Sequence, residues 1–260
     1  MSSKVSLKND SFIAELILDN PPVNALGSTT VSEIYDATEQ ISDWIKTRQT
    51  RVVILRAKGK HFCAGADLKE RLKLKDLDVS AAVKKIRKAV DGIWNIRVPV
   101  IALIHGVALG GGMELALAAD IRIAADDSKM GMKEVSLAIM PGAGGTQRLP
   151  RIVGLGKALE WVTIGKDINP DEALKSGLVN EVIPVNNLLE RGHEIAISIA
   201  NNGPIGVQSA KKAVRDGFNL SFDEAMEIEW SEYLKTVLTE DRKEGLNAFA
   251  EGRSPKYEGR

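Results

Sequence analysis

His105-Gly106-Val107-Ala108-Leu109-Gly110-Gly111-Gly112-Met113-Glu114-Leu115-Ala116 follows an apolar β-type run, Val98 to Ile104, and places three consecutive glycines before a short helical segment that reaches Ala119. Glycines at such a join let backbone approach a ligand closely and adopt φ/ψ values closed to other residues. They also leave free N–H groups at a helix start, where partial positive charge collects. N–H groups so placed hold an oxygen that becomes negative during a reaction. Glu114 stands just inside the helix among Met, Leu and Ala. Taken alone, a first-turn glutamate more often satisfies local N–H groups, and a glycine triplet is more often a tight packing turn.

Working outward, β-type and helical patterns alternate. Residues 11–18 (SFIAELIL) read as a strand ended by Asn20-Pro21-Pro22. A helical pattern runs from Ser28 to about Lys46, with Ser28 or Thr29 as its expected cap. Residues 51–57 (RVVILRA) form a β-branched run typical of a buried strand. HFCAGADLKER then reads as a strand end or loop entering a helix, and residues 80–96 as an amphipathic helix. Ile121 to Ala125 returns as a strand, and Val135 to Ile139 leads into the glycine-rich PGAGG and a further helix. Alternation of this kind up to about residue 185 predicts an α/β fold with crossovers. From about Ala196 the pattern is helical only, over 205–217 and 222–238. The expected division is a core over 1–195 carrying the active site and a helical region over 196–260 for packing and self-association.

Two more segments have the same small-residue character. Phe62-Cys63-Ala64-Gly65-Ala66-Asp67-Leu68-Lys69 lets backbone approach something bulky just before a helix. Met130-Gly131-Met132-Lys133-Glu134, followed by Pro141-Gly142-Ala143-Gly144-Gly145-Thr146, sets a second glutamate between two tight loops. By itself each is weak, and Glu134 alone reads as a solvated loop carboxylate. Together, FCAGADLKE, HGVALGGGMELALAADIRIA and PGAGGTQRL, in this order, closely resemble the enoyl-CoA hydratase (crotonase) family. The resemblance begins at Asn20-Pro21-Pro22-Val23-Asn24-Ala25-Leu26, passes through Gly177-Leu178-Val179-Asn180-Glu181-Val182, and ends near Glu244-Gly245-Leu246-Asn247-Ala248-Phe249.

The resemblance implies a spiral of ββα units with a helical C-terminal region, usually assembled as a trimer or dimer of trimers. It implies that the backbone N–H groups of Ala66 and Gly111 form an oxyanion hole for a thioester carbonyl. Glu114 matches the carboxylate that serves mainly the water, and Glu134 the one that serves mainly the C2 proton. Gly142, with Pro141 and Gly110, matches the positions that place water and substrate. Ala64, Asp67, Leu68 and Lys69 fall where the family binds the CoA moiety, with Phe249 a further candidate that could serve a neighbouring subunit. The implied activity is enoyl-CoA hydratase (3-hydroxyacyl-CoA dehydratase), in fatty-acid or branched-chain catabolism. Methylglutaconyl-CoA hydration and enoyl-CoA isomerisation are the nearest alternatives. No metal or redox cofactor is implied, since CoA arrives as part of the substrate.

Other readings are excluded or weakened by composition. Lys plus Arg and Asp plus Glu both number 35, so no global field favours nucleic acid or an acidic membrane. The runs CAGADLKER, KMG and GGTQRLPR especially resemble methylglutaconyl-CoA hydratase, a family member that can also bind AU-rich RNA, an ability associated with a lysine-rich early helix. Residues 28–47 here carry Lys46 as their sole lysine, against Glu33, Asp36, Glu39 and Asp43, which argues against RNA as a partner. No apolar stretch approaches the roughly 20 residues that cross a bilayer. The start lacks secretory and transit patterns, and Cys63 is the single cysteine, so the expected location is cytoplasmic. His61, His105 and His193 lack metal-ligand spacing. Gly154-Leu155-Gly156-Lys157 reads as a turn that opens a helix, and Lys84-Lys85-Arg87-Lys88 as the solvated face of one.

Overall fold

The computed structural model describes residues 3–260. Its main sheet has six strands in the order β1-β2-β3-β4-β6-β8: β1 Val5–Asp10, β2 Ile13–Leu18, β3 Val52–Ala57, β4 Val100–Ile104, β6 Ile121–Ala125 and β8 Glu181–Ile183. Only β1 runs antiparallel to its neighbour, in register Val5↔Leu18 to Asp10↔Ile13, and every other pair is parallel. Side chains alternate between two apolar layers, as a period of two requires. Val53, Leu55, Val100, Ala102 and Ile104 face the larger layer, whereas Val52, Ile54, Ile101 and Leu103 face the smaller. A strand buried on both faces needs a continuous apolar run, and VVILRA and VIALI supply it.

After β2, β3, β4 and β6 the chain makes a second, shorter β contact before it enters a helix. The two-stranded sheet β5 (Val107–Leu109) and β7 (Lys129–Gly131) is the centre of this second ladder. Isolated bridges Leu26↔Ala66, Cys63↔Ala108 and Met130↔Ile168 extend it on both sides. Each turn of the chain thus contributes one segment to the main sheet, one to the ladder, and then a helix. These helices are α1 Ser28–Lys46, α2 Leu68–Arg71 with α3 Asp76–Trp94, α4 Gly111–Ala118, and α5 Gly145–Val153 through α7 Pro170–Lys175, with α6 Leu155–Ile164 between. This repetition is the spiral of ββα units that the resemblance implied.

Helix α1 has the bounds expected from periodicity, but its start differs. Gly27 occupies the cap position without a side-chain bond. The carboxylate of Glu70, on α2, accepts from the Ser28 amide at 2.9 and 3.1 Å instead. Strand β1 escaped the sequence reading because an edge strand needs apolar residues on one side only, and VSLKND buries little beyond Val5. Val135 to Ile139 forms the end of a single 3-10 turn, Glu134–Leu137, and Ala138 at φ 57° closes it. Residue 195, the expected division, falls within α8 (Leu188–Ala200), whose Leu188, Ala196 and Ala200 pack on the smaller apolar layer. Helices α9 Pro204–Gly217, α10 Phe222–Val237 and α11 Glu240–Glu251 follow. Lys211 and Arg215 tie α9 to the core, donating to the carbonyls of Ile96, Val98 and Trp94 and pairing with Asp120.

Candidate active site

The second ladder explains why two amides are left over at one place. Leu26 N–H donates to the Gly65 carbonyl at 2.8 Å, and Asp67 N–H donates to the Leu26 carbonyl at 3.2 Å. Parallel pairing through residues 65 and 67 turns the Ala66 N–H to the opposite side. Gly111 is the first residue of α4, so its N–H lies beyond the reach of any helical carbonyl. Among the described residues neither N–H donates to a protein acceptor. Gly65, at φ +94°, brings the two together. A Cβ there would lie 2.7 Å from the Leu109 carbonyl oxygen and 3.4 Å from Gly111 N, so a side chain would force the strands apart.

A cavity of about 880 Å³ opens over these amides and is lined by Ala64, Ala66, Leu68, Gly110, Gly111, Glu114, Glu134, Pro141 and Gly142. Helix α4 is apolar around its whole circumference and buried from Gly112 to Ala118, which carries Glu114 to 3 % exposure. One Glu114 oxygen, Oε1, accepts from the Ala143 and Gly145 amides at 2.7 and 2.9 Å. Burial pushes this carboxyl above the ordinary range, while the two amides and the Arg148 guanidinium pull it back.

Glu134 has a different environment. Its Oε2 is buried without a protein partner. Gly110 sits so close that a Cβ on it would be 3.1 Å from Glu134 Oε1. Burial, reinforced by the neighbouring Glu114 charge, pushes the Glu134 carboxyl up to about 7. Two carboxyl groups thus meet at one cavity, Glu114 held by two amides of the 143–145 turn and Glu134 by its own backbone amide alone, with Oε2 left unpartnered. Such a difference separates a base from an acid.

Of the remaining expected residues, Asp67 is used elsewhere. It caps α2, its side chain accepting from the Lys69 and Glu70 amides, and it lines a separate small cleft. Lys69 and Phe249 do not line the cavity, and Phe249 on α11 is 88 % exposed. Val79, Val83, Lys84 and Arg87 of α3 also line the cavity, within the 70–90 region expected to shape the pocket floor but not singled out as residues. Lys84, Lys85, Arg87 and Lys88 are all exposed, as the solvated face of α3 requires. Lys88 lies over the Tyr35 ring at 3.8 Å, but Lys84 and Arg87 border the cavity. The i, i+3 spacing of Lys84 and Arg87 was visible, yet nothing local showed which way α3 would face. Cys63 is fully buried, its thiol pushed up to about 12 by loss of solvent, in line with a packing role. Among the described residues no three of His, Cys, Asp and Glu are grouped to hold a metal.

A spiral of parallel ββα units that sets two free amides against two buried carboxyls defines the crotonase class of α/β protein. A family model described as Enoyl-CoA hydratase/isomerase matches residues 8–260, and the chain belongs to that family. Mouse (Mus musculus) methylglutaconyl-CoA hydratase, mitochondrial, is 40 % identical over 241 residues, covering 91 % of this chain and 76 % of its own length. Mouse enoyl-CoA hydratase domain-containing protein 2, mitochondrial, is 40 % identical over 254 residues, covering 95 % and 85 %. The crystal structure of an enoyl-CoA hydratase from Bacillus anthracis superposes with a TM-score of 0.95 at 42 % identity, over 99 % of this chain and 100 % of that one.

Proposed function

We propose that the protein is an enoyl-CoA hydratase, adding water reversibly across the C2–C3 bond of a 2-enoyl-CoA thioester. The observation that carries this reading is the meeting, at one cavity, of Glu114 and Glu134 with the unpaired amides of Ala66 and Gly111. Attack of water at C3 moves negative charge to the thioester oxygen, where two aimed N–H donors stabilise it. Loss of one such donor costs about 2.7–4 kcal/mol in comparable sites. Glu114, whose ionised form the two amide donors favour, takes the water proton as the O–C3 bond forms. Glu134, whose protonated form its dry surroundings favour, gives its proton to C2. The pair ends with its single proton on the other carboxyl, and exchange between them restores the starting state.

Hydration changes no net oxidation state and needs no group transfer, so no resident cofactor is required and CoA enters with the substrate. Ala64 and Leu68, which line the cavity, are placed to contact that CoA moiety, and Pro141 and Gly142 to place the water. Exposed Phe222, Trp230, Tyr233 and Leu238 on and beside α10 support self-association as a trimer or dimer of trimers. No helix of the described residues is long and apolar enough to cross a membrane. With the even charge balance, this supports a cytoplasmic enzyme that binds neither membrane nor nucleic acid.

Double-bond isomerisation is the second reading, because an unpartnered Glu134 that titrates near neutrality suits proton shuttling at carbon. Incubation with crotonyl-CoA, 3-enoyl-CoA and methylglutaconyl-CoA, followed by product analysis, separates the three activities. Formation of 3-hydroxybutyryl-CoA is the expected outcome. An enzyme that only moves double bonds would refute the hydratase reading.

A further inference from the structure

Arg148 of α5 lies behind the catalytic carboxyl, and its guanidinium is gripped on three sides. Nη1 donates to the Ala143 carbonyl at 2.9 Å, and Nη2 donates to Asp91 Oδ1 on α3 at 2.7 Å. The Trp94 ring lies beneath it, 4.8 Å from ring centre to guanidinium carbon, with Arg215 on the same ring at 3.7 Å. Asp91 is itself steadied by Arg87 Nε, 3.4 Å from its Oδ2. The turn held in this way requires glycine: Gly144 adopts φ +103°, and a Cβ there would overlap Arg148 Nη1. Residue 143 therefore sits between two charges. Its carbonyl is fixed by Arg148, and its amide donates to Glu114 Oε1 at 2.7 Å, beside that of Gly145 at 2.9 Å.

We propose that Arg148, anchored by Asp91, is a positioning residue: it fixes the 143–145 turn so that two amides hold one oxygen of Glu114 and leave the other for water. The kinetic consequence rests on the hydratase reading above, whereas the structural consequence does not. A bidentate guanidinium between a carbonyl and a carboxylate gives both direction and strength, which a lysine cannot reproduce at two acceptors. The clamp reaches from α3 to α5 and crosses the side of the turn away from the cavity. It touches no reacting atom, so its effect passes entirely through Glu114.

The test uses the full-length protein with Arg148→Gln, Arg148→Lys and Asp91→Asn. Crystal structures of the free variants show whether the turn moves, and pH–rate profiles on crotonyl-CoA show whether the chemistry follows. In Arg148→Gln the two amide contacts to Glu114 are expected to lengthen beyond hydrogen-bond reach. Its kcat falls about 10²-fold, the scale for a misplaced catalytic group, with KM changed less than about threefold. The groups facing Glu114 are Glu134 from the 3-10 turn and Arg148 from α5, with Asp91 and Arg87 of α3 behind. Removing the Arg148 cation disfavours ionised Glu114, so the acid limb moves to higher pH. Asp91→Asn keeps that cation, so kcat falls without an upward move of the limb. Arg148→Lys recovers part of kcat. A folded Arg148→Gln that keeps both amide contacts and wild-type kcat overturns the proposal. Should that variant fail to fold, an Asp91→Asn enzyme with unchanged turn and kcat overturns it equally. A wild type without hydratase activity refutes the functional reading alone, and the variant crystal structures still decide on the clamp.

Discussion

Glu114 and Glu134 are the same residue type in different surroundings, and those surroundings are what separate the roles proposed for them. Glu114 has two amide donors and a nearby guanidinium, whereas Glu134 has an unpartnered oxygen and a carboxylate neighbour. In the proposed hydration the pair carries one proton, and the reaction neither takes up nor releases one. The two directions therefore share one pH profile. kcat/KM is expected to fall as pH rises through about 7, where the shared proton leaves; the limb belongs to the pair and not to one residue. Profiles measured with crotonyl-CoA and 3-hydroxybutyryl-CoA check this, and a rate that climbs steadily from pH 7 upward contradicts it. Glu134→Gln is expected to lower kcat by about 10²- to 10⁴-fold, the usual worth of a positioned proton donor. The same change should stabilise the fold. The Glu134 carboxyl is raised from an ordinary 4.5 to about 7, so the folded state holds the proton more tightly than the unfolded one. Stability is then lost as pH rises between those values. The Tm advantage of Glu134→Gln should grow across that window and level off above it.

At the scale of elements, the site is a crossing of strand ends and helix starts that tolerates little added volume. Gly112, in the first turn of α4, faces Cys63 so closely that a Cβ would overlap the Cys63 carbonyl oxygen and lie 2.8 Å from its Cβ. The obstacle is backbone and cannot swing away. Gly112→Ala is therefore expected to destabilise by about 1–3 kcal/mol or more, read as a lowered Tm, and to separate the free amides of Ala66 and Gly111. Gly142 is a softer case. A Cβ there would meet the Val83 methyl of α3 at 2.6 Å, and that obstacle is a side chain. Gly142→Ala should lower kcat, and Gly142→Ala combined with Val83→Ala should recover much of the loss. Contacting positions couple in this way, and strictly additive losses would show that α3 does not press on the turn.

At the scale of the whole molecule, the parallel core was legible because strands buried on both faces must be apolar runs, and 51–57 and 121–125 are. The bounds of α1 were legible from a clean 3.6-residue pattern. The edge strand β1 was hidden, since half its residues face solvent. The second ladder was hidden as well, because bridges of one to three residues leave no periodicity. Glu114 and Glu134 were individually unremarkable in sequence, and only the combined motifs singled them out. The roles of Val83 and Arg87 depend on how α3 rotates against the 141–145 turn, which no local pattern encodes. The same limit explains Asp67, whose side chain serves the α2 start. Apolar side chains along α10 and α11, Trp230 and Phe249 among them, stay exposed among the described residues. Sedimentation is expected to show a trimer or a multiple of it, and Trp230→Glu to shift the population toward smaller species. A wild-type monomer at micromolar concentration would contradict that expectation.

The central claim is geometric, and a complex with the substrate-like acetoacetyl-CoA tests it most directly. The account predicts the C1 oxygen within hydrogen-bond reach of both Ala66 N and Gly111 N, with C2 and C3 lying between the Glu114 and Glu134 carboxyls. A thioester bound with its oxygen away from those amides, or with the two carboxyls on the same side of the acyl chain and out of reach of C2 and C3, would contradict it.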